Sequence, residues 1–200
     1  TDELSASATG VLNEVSEFTL YGEANARLFE GLIATAGARY TRSQLGGAGE
    51  DVPLAIALAG REITASRDET AFLPSFSLLA QVLPETSLYL RYQEGFRPGG
   101  LAIEGNFVRR FRNDRAATFE FGLRHGRPGR GPFDLTASVA HTRWRDIQAD
   151  FIDAFGLPST ANIGDGRVWT ASIAGSVELA PALRVNGGFT YNDSAIDQPE

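Results

Sequence analysis

The sequence predicts an all-β protein, an antiparallel transmembrane β-barrel segment with about eight long strands. Three observations lead to this prediction. Apolar and polar residues alternate along each predicted strand, which gives the strand one apolar and one polar face. The strands are about 12 residues long, against the usual 5–6 of a soluble sheet. Short and long connections alternate strictly between them, as they do in outer-membrane barrels.

The first alternation shows the pattern that the other strands repeat. Phe18 and Leu20 share one parity, whereas Glu17 and Thr19 share the other. The first dozen residues lack such a pattern and are expected to form a loop or a frayed end. Eight segments carry the alternation: 16–28, 32–41, 71–83, 88–93, 117–124, 133–139, 169–179 and 183–192.

The connections predict an orientation. Short turns are expected on the periplasmic side and long loops on the extracellular side. The short turns fall near Glu30, Glu85, Gly129 and Pro181. The long loops fall at about 43–70, 97–115 and 147–166. Four aromatic residues near strand ends are candidates for an interfacial girdle: Tyr40, Tyr92, Trp169 and Tyr191.

Composition and motifs exclude several classes of function. The net charge of −7 argues against a nucleic-acid partner, and the absence of cysteine excludes disulfides and thiolate metal sites. No apolar run approaches the ~18 residues of a membrane helix. No nucleophile, acid and base converge at a recognisable spacing, so we expect neither an enzyme nor a cofactor.

Two groups of possible metal ligands are weak candidates. Asp146, Asp150 and Asp153 would share one face of a helix, but their spacing lacks the alternating ligands of a calcium loop. Extension of the sixth strand, followed by a turn, is the preferred interpretation of this stretch. His125 and His141 have no carboxylate or second histidine at ligand spacing and are expected to be structural or interfacial. We therefore predict no metal site.

The connection after Phe96 is rich in arginine. Guanidinium groups suit an acidic ligand or a lipopolysaccharide phosphate, although a solvated loop of mixed charge has the same composition. The arginines are Arg97, Arg109, Arg110, Arg112 and Arg115, with Glu104 and Asp114 among them.

Four stretches resemble parts of TonB-dependent outer-membrane receptors. The first is YLRYQEGFRPGGL at 89–101, a strand that ends in a glycine-rich entry to a loop. The others are RAATFEFGLRHGRPG, TRWRDIQADF and NIGDGRVWTASIAGSVELAPALRVNGGFTYNDS, and the resemblance covers roughly 14–194. Their order and spacing carry the similarity more than any single motif does.

This resemblance implies a function and partners. The chain, residues 1–200, would be a section of the C-terminal barrel of such a receptor, without its plug domain and terminal strands. The whole receptor would lie in the outer membrane of a Gram-negative bacterium, in contact with its lipid. It would import a scarce nutrient, such as a ferric siderophore or another metal chelate, with energy from the TonB complex acting through the missing plug. The residues expected to contact the ligand are Arg91, Gln93, Arg97 and Trp144.

Two alternatives remain open from the sequence. Eight strands also fit a complete small outer-membrane barrel with a structural or adhesion role. The second is a soluble β protein that binds a lipid or a sugar, since a soluble antiparallel sandwich shows the same alternation. In the sandwich, Phe119, Phe121, Ile173 and Val185 would pack together inside a core.

Overall fold

The computed structural model describes residues 10–50, 65–104, 107–152, 156 and 158–197. These residues form twelve strands and no helix. Eight long strands make one antiparallel sheet in the order β1-β2-β3-β4-β7-β8-β11-β12. The other four strands form two small hairpins, β5–β6 and β9–β10. Among the residues described, no helix is long and apolar enough to cross a membrane.

The long strands extend well beyond the sequence-predicted limits, because pairing continues past the alternating segments. They are β1 (Gly10–Phe29), β2 (Leu32–Glu50), β3 (Ala65–Leu83), β4 (Thr86–Arg97), β7 (Asp114–Arg127), β8 (Arg130–Arg145), β11 (Asp165–Ala180) and β12 (Leu183–Asp197). The short strands are β5 (Gly100–Glu104), β6 (Phe107–Phe111), β9 (Gln148–Ile152) and β10 (Pro158–Asn162). Residues 10–12, expected to be loop, are therefore strand.

Neighbouring long strands are joined alternately at two ends of the sheet. At one end, called the turn end, the chain reverses within a few residues at 29–32, 83–86, 127–130 and 180–183. At the other, called the loop end, the connections are long and contain both small hairpins. Gly31 and Gly129 supply the positive φ values, 80° and 73°, that two of the tight turns require.

The sheet is open. In the part of the chain that is described, β1 pairs only with β2 and β12 pairs only with β11. The eight strands thus do not close on themselves, which argues against a complete eight-stranded barrel.

The two faces of the sheet differ in the way that the alternation predicts. Paired residues lie on the same side of a sheet, so the register assigns each side chain to a face. On the apolar face, Phe119, Phe121, Ile173 and Val185 are 47–50% exposed and point away from the rest of the chain. Within the described part of the chain these side chains cover no second layer, which argues against the sandwich alternative.

One row of aromatic side chains crosses the apolar face near the loop end. Tyr92 on β4 lies opposite Phe76 on one side and Phe119 on the other. His141 on β8 lies opposite both Phe119 and Trp169. The His141 and Trp169 rings lie 4.4 Å apart between centroids. Tyr92 and Trp169 thus fit the predicted girdle, whereas Tyr40 lies in the middle of β2, which continues to Glu50.

Candidate functional site

The polar face carries all four residues that the sequence predicts as ligand contacts. Arg91, Gln93 and Arg97 alternate along β4 toward the loop end. Trp144 lies on the same face of β8, where it pairs opposite Ala116 and Gly166. The structure thus places these residues on one face, from the middle of the sheet to its loop end, with small neighbours beside the indole. No ligand contact is tested by this placement, so their role stays a prediction.

The middle of the polar face is held by a network around Tyr89. Its hydroxyl donates a 2.6 Å hydrogen bond to Glu120, and the Arg124 guanidinium lies 4.9 Å from its ring centroid. Gly122, directly opposite, is buried beneath the ring. A side chain at residue 122 would collide with the ring in its present position, so this glycine allows the tyrosine to lie flat over β7. Arg91 pairs opposite Glu120 and therefore lies beside this network.

A second polar cluster lies near the turn end. Arg184 donates to Ser176 over 2.7 Å and to Glu178 over 3.1 Å. Asp134 accepts a hydrogen bond from Ser176 and lies 3.5 Å from the same guanidinium. Each charge in this cluster has a partner, so the cluster is stable as it stands. It lies on the polar face, where the alternation predicts charged residues.

The loop end is organised by a carboxylate that the sequence did not single out. Asp114 is 5% exposed at its side chain and accepts from Nε and Nη2 of Arg97, at 3.0 and 2.5 Å. The same Nη2 donates to the carbonyl oxygen of Gln148 over 3.0 Å. Arg97 therefore joins the end of β4, the start of β7 and the start of β9. Its charge is already partnered, unlike that of a guanidinium held ready for a ligand.

Two amides complete this junction. The side-chain amide of Gln148 donates to the carbonyl oxygens of Pro98 and Arg112, each over 3.0 Å. Asn162, opposite Gln148 at the base of β9–β10, accepts from the backbone N–H of Arg112 over 2.6 Å and donates to its carbonyl over 2.9 Å. We call Arg97, Asp114, Gln148 and Asn162 the loop-base cluster. It ties the bases of the two outer hairpins together.

The hairpin β5–β6 is also fixed from the side of β3. The backbone N–H of Gly99 donates over 3.1 Å to Glu69, a carboxylate that is 5% exposed. Arg67 forms a 2.9 Å ion pair with the other oxygen of Glu69. Strand β5 contacts β1, β2 and β10, and the polar-face residues Thr41, Ser43 and Leu45 are buried there. The hairpin therefore folds over the loop end of the polar face and narrows access to it.

The acidic stretch after β8 is not helical in its described part, so its aspartates there do not share the helical face that a metal site would need. β8 ends at Arg145, the chain turns at Asp146 with a φ of 52°, and Gln148–Ile152 is strand, as the preferred interpretation expected. Asp146 pairs with Arg112 at 3.1 Å, and Asp150 accepts from Thr160. Asp153 lies outside the described residues. No group of three metal-ligating side chains occurs among the positions that the structure describes.

Sequence reasoning missed Gln148 and Asn162 as organisers because an isolated amide carries no pattern. A signal was nevertheless present. Asn162 begins the NIGDG stretch and Gly99 lies in GFRPGG, two of the stretches that carry the family resemblance. Both meet at the loop-base cluster, although 63 positions separate them in the chain.

Comparisons with known proteins agree with this architecture. The family model described as "TonB dependent receptor-like, beta-barrel" matches residues 5–199. No curated protein matches the sequence. Among solved structures, the ferric yersiniabactin uptake receptor FyuA from Yersinia pestis is similar with a TM-score of 0.70 and 16% identity, over 94% of this chain and 28% of that one.

Two further structures show the same fold. The ferric-catecholate import receptor Fiu from E. coli K12 has a TM-score of 0.68 and 17% identity, over 94% of this chain and 29% of its own. The copper transporter OprC has a TM-score of 0.71 and 14% identity, over 93% and 30%. The chain thus spans less than a third of the length of each of these three proteins. With the two-faced antiparallel sheet and the family match over nearly its whole length, this chain belongs to the TonB-dependent receptor family and corresponds to part of its β-barrel.

Proposed function

We propose that this chain is a section of the barrel of an outer-membrane importer, which takes up a scarce nutrient with energy from the TonB complex. In this proposal, residues 1–200 are one part of the barrel domain, and a plug domain elsewhere in the receptor contacts TonB. The turn end faces the periplasm and the loop end faces the outside. Family membership supports the proposal, as do the import functions named for FyuA and Fiu.

The observation that carries the proposal is the contrast between the two faces of one single-layer sheet. The apolar face exposes large side chains over many strands, which only lipid or another apolar partner covers favourably. The polar face holds fixed charges and hydroxyls, such as Tyr89 with Glu120 and Thr118 with Thr142. An interior of this kind suits a plugged, hydrated lumen, as in the large outer-membrane transporters.

We further propose that the substrate is a metal chelate with anionic groups, such as a ferric siderophore. Arg91 and Gln93 supply a guanidinium and an amide on the polar face, and Trp144 supplies an aromatic surface on the same face. Guanidinium groups bind carboxylate and similar oxygen anions with a planar pair of donors. Because OprC is named a copper transporter, a copper complex is the alternative cargo to test beside iron.

Uptake by the full-length receptor tests the importer proposal. The receptor is produced in a Gram-negative host that lacks its own ferric-chelate receptors, with and without TonB. Radioactive iron is supplied as catecholate, hydroxamate or carboxylate complexes, and copper is supplied in parallel. We expect saturable accumulation of at least one complex only in the host that has TonB. Equal accumulation in both hosts, or none for any complex, would contradict the proposal.

Matched arginine variants test the predicted ligand contacts. In Arg91→Gln the lost charge lies in the middle of the polar face, whereas in Arg27→Gln it lies on the same face near the turn end. A charge-assisted hydrogen bond contributes about 1.5–3 kcal/mol, so we expect the KM of uptake to rise about tenfold or more for Arg91→Gln. Arg27→Gln is expected to leave the KM unchanged. The same shift in both variants would show a general charge effect and would refute the assignment of Arg91.

A further inference from the structure

Four arginines form a compact group on the apolar face, at its loop end. In the cross-strand register Arg115 lies opposite Arg145, and Arg143 lies opposite Arg167. The four positions have the same parity as Phe119, His141 and Trp169, so they share the face that is expected to contact lipid. We call Arg115, Arg143, Arg145 and Arg167 the arginine ladder. All four side chains are exposed.

This arrangement is unfavourable without an anion. Like charges that lie directly opposite each other in an antiparallel pair repel and destabilise the sheet. Here two such pairs occur next to each other, and they share β8. None of the four guanidinium groups forms an ion pair with a carboxylate within the described ranges.

The nearby carboxylates among the described residues of this face form no ion pair with the ladder. Glu94 accepts a hydrogen bond from Tyr92 over 2.5 Å, and Asp165 accepts one from the backbone N–H of Asp146 over 2.9 Å. Asp193 and Asp197 lie on β12, beyond β11. Arg115 instead rests over the Phe96 ring, with its guanidinium carbon 5.9 Å from the centroid. On this face of β7, β8 and β11, guanidinium groups therefore outnumber carboxylates at the loop end.

The ladder also lies at a defined height. The apolar side chains of β11 run from Trp169 to Leu179. Ten residues at about 3.3 Å each, tilted by about 40°, cover a band of about 25 Å, which is the height of the apolar belt of an outer-membrane barrel. Arg167 follows immediately beyond Trp169 on the loop side. The ladder is therefore at the level of lipid head groups, on the outer-leaflet side.

We propose that the arginine ladder binds the phosphate groups of a phosphorylated glycolipid in the outer leaflet. Each arginine donates a planar pair of N–H groups that matches phosphate oxygens, and two opposed pairs bracket one anionic head group. The acyl chains of the same lipid lie below, against Phe119 and the shallow apolar groove lined by Phe121, Ala171 and Ile173. The proposal rests on the outer-membrane placement of the proposed function, but not on import itself.

Lipid binding to the purified full-length receptor in detergent tests the ladder. The probes are hexa-acylated lipid A with both phosphates and the same lipid with its phosphates removed. The test variant is Arg143→Gln with Arg167→Gln. The control is Arg127→Gln with Arg130→Gln, which removes the same charge from β7 and β8 at their turn end. Uptake is measured on the same variants, so that failure of import and failure of lipid binding are separate results.

We expect the test variant to bind phosphorylated lipid A about tenfold more weakly or worse, since two charge-assisted contacts are lost. The control variant keeps full affinity, and dephosphorylated lipid binds weakly to every form. Arg143→Lys with Arg167→Lys keeps the charge without the planar donors and is expected to bind with intermediate affinity, which separates loss of binding from misfolding. Equal losses in test and control variants, or equal binding of the two lipids, would overturn the proposal.

Discussion

Replacement of Gly99 by alanine is expected to loosen the outer hairpin β5–β6 without affecting the sheet. A Cβ atom at residue 99 would collide with the carbonyl oxygen of Phe111 and would lie 3.1 Å from the backbone of Arg112 and Asn113. All three contacts are backbone atoms, so no side-chain rotation relieves them. Overpacking of this kind costs about 1–3 kcal/mol.

The displacement also affects the buried Glu69. The Gly99 N–H donates to this carboxylate over 3.1 Å, and a hydrogen bond to a charged group contributes about 1.5–3 kcal/mol. The hairpin either keeps the clash or moves away and loses this bond, so the cost is about 1–3 kcal/mol rather than the sum of the two. At 1.4 kcal/mol for each factor of ten, the open hairpin becomes about 5- to 150-fold more populated.

Hydrogen exchange of the full-length receptor in detergent measures this opening. We expect faster exchange of the backbone amides of 99–111 in Gly99→Ala, while those of β7 and β8 keep their protection. Gly187→Ala is the matched control, because its added Cβ meets nothing within 4 Å. If the amides of the hairpin exchange at the same rate in both variants, the steric argument is refuted.

The remaining predictions concern one residue of each face and three of the loop-base cluster. Asp114→Asn should lower the stability of the hairpin β9–β10 by only about 1 kcal/mol, since Arg97 is half exposed, and its amides should exchange faster. Adding Arg97→Gln should restore part of the lost stability, because it removes the unpaired charge. Phe121→Arg should destabilise the barrel in lipid vesicles by about 2–4 kcal/mol in urea unfolding, whereas Ser172→Arg on the polar face, opposite the uncharged Ser138 and Thr190, should have little effect; equal costs would contradict the assignment of faces. Asn162→Asp removes both side-chain donations, to Arg112 and Asp146, and should raise exchange of β9–β10 about 30-fold, or about 2 kcal/mol; an unchanged rate would contradict the role of the amide.

The sheet itself was largely predictable from the sequence. Alternation identifies a strand wherever one face meets lipid and the other meets polar groups, as in Phe119 and Phe121 against Thr118 and Glu120. The strand ends were not predictable, because pairing extends into stretches without strict alternation. β2, for example, continues from the expected end at Thr41 to Glu50.

The outer hairpins were less accessible to sequence reasoning. Their strands have only five residues, too few for a convincing period of two. The contacts that hold them join distant parts of the chain, such as Gln148 with Pro98 and Asn162 with Arg112. Tertiary hydrogen bonds of this kind leave no local periodicity. The predicted ligand residues, in contrast, could be assigned to the polar face from the sequence. That assignment depends only on the alternation of side chains along each strand.

Arg97 has two competing roles, as ligand contact and as structural joint, and an arginine-to-lysine substitution separates them. Lysine keeps the positive charge but not the planar donors that reach both Asp114 and the carbonyl of Gln148. If the joint is the main role, Arg97→Lys and Asp114→Asn should raise exchange of β9–β10 to a similar degree. Their combination should then be strongly non-additive, because both remove the same contact. If ligand binding is the main role, Arg97→Lys should change the KM of uptake and leave the exchange of the hairpin as it is. Because the guanidinium already has two partners in the structure, we expect the first result.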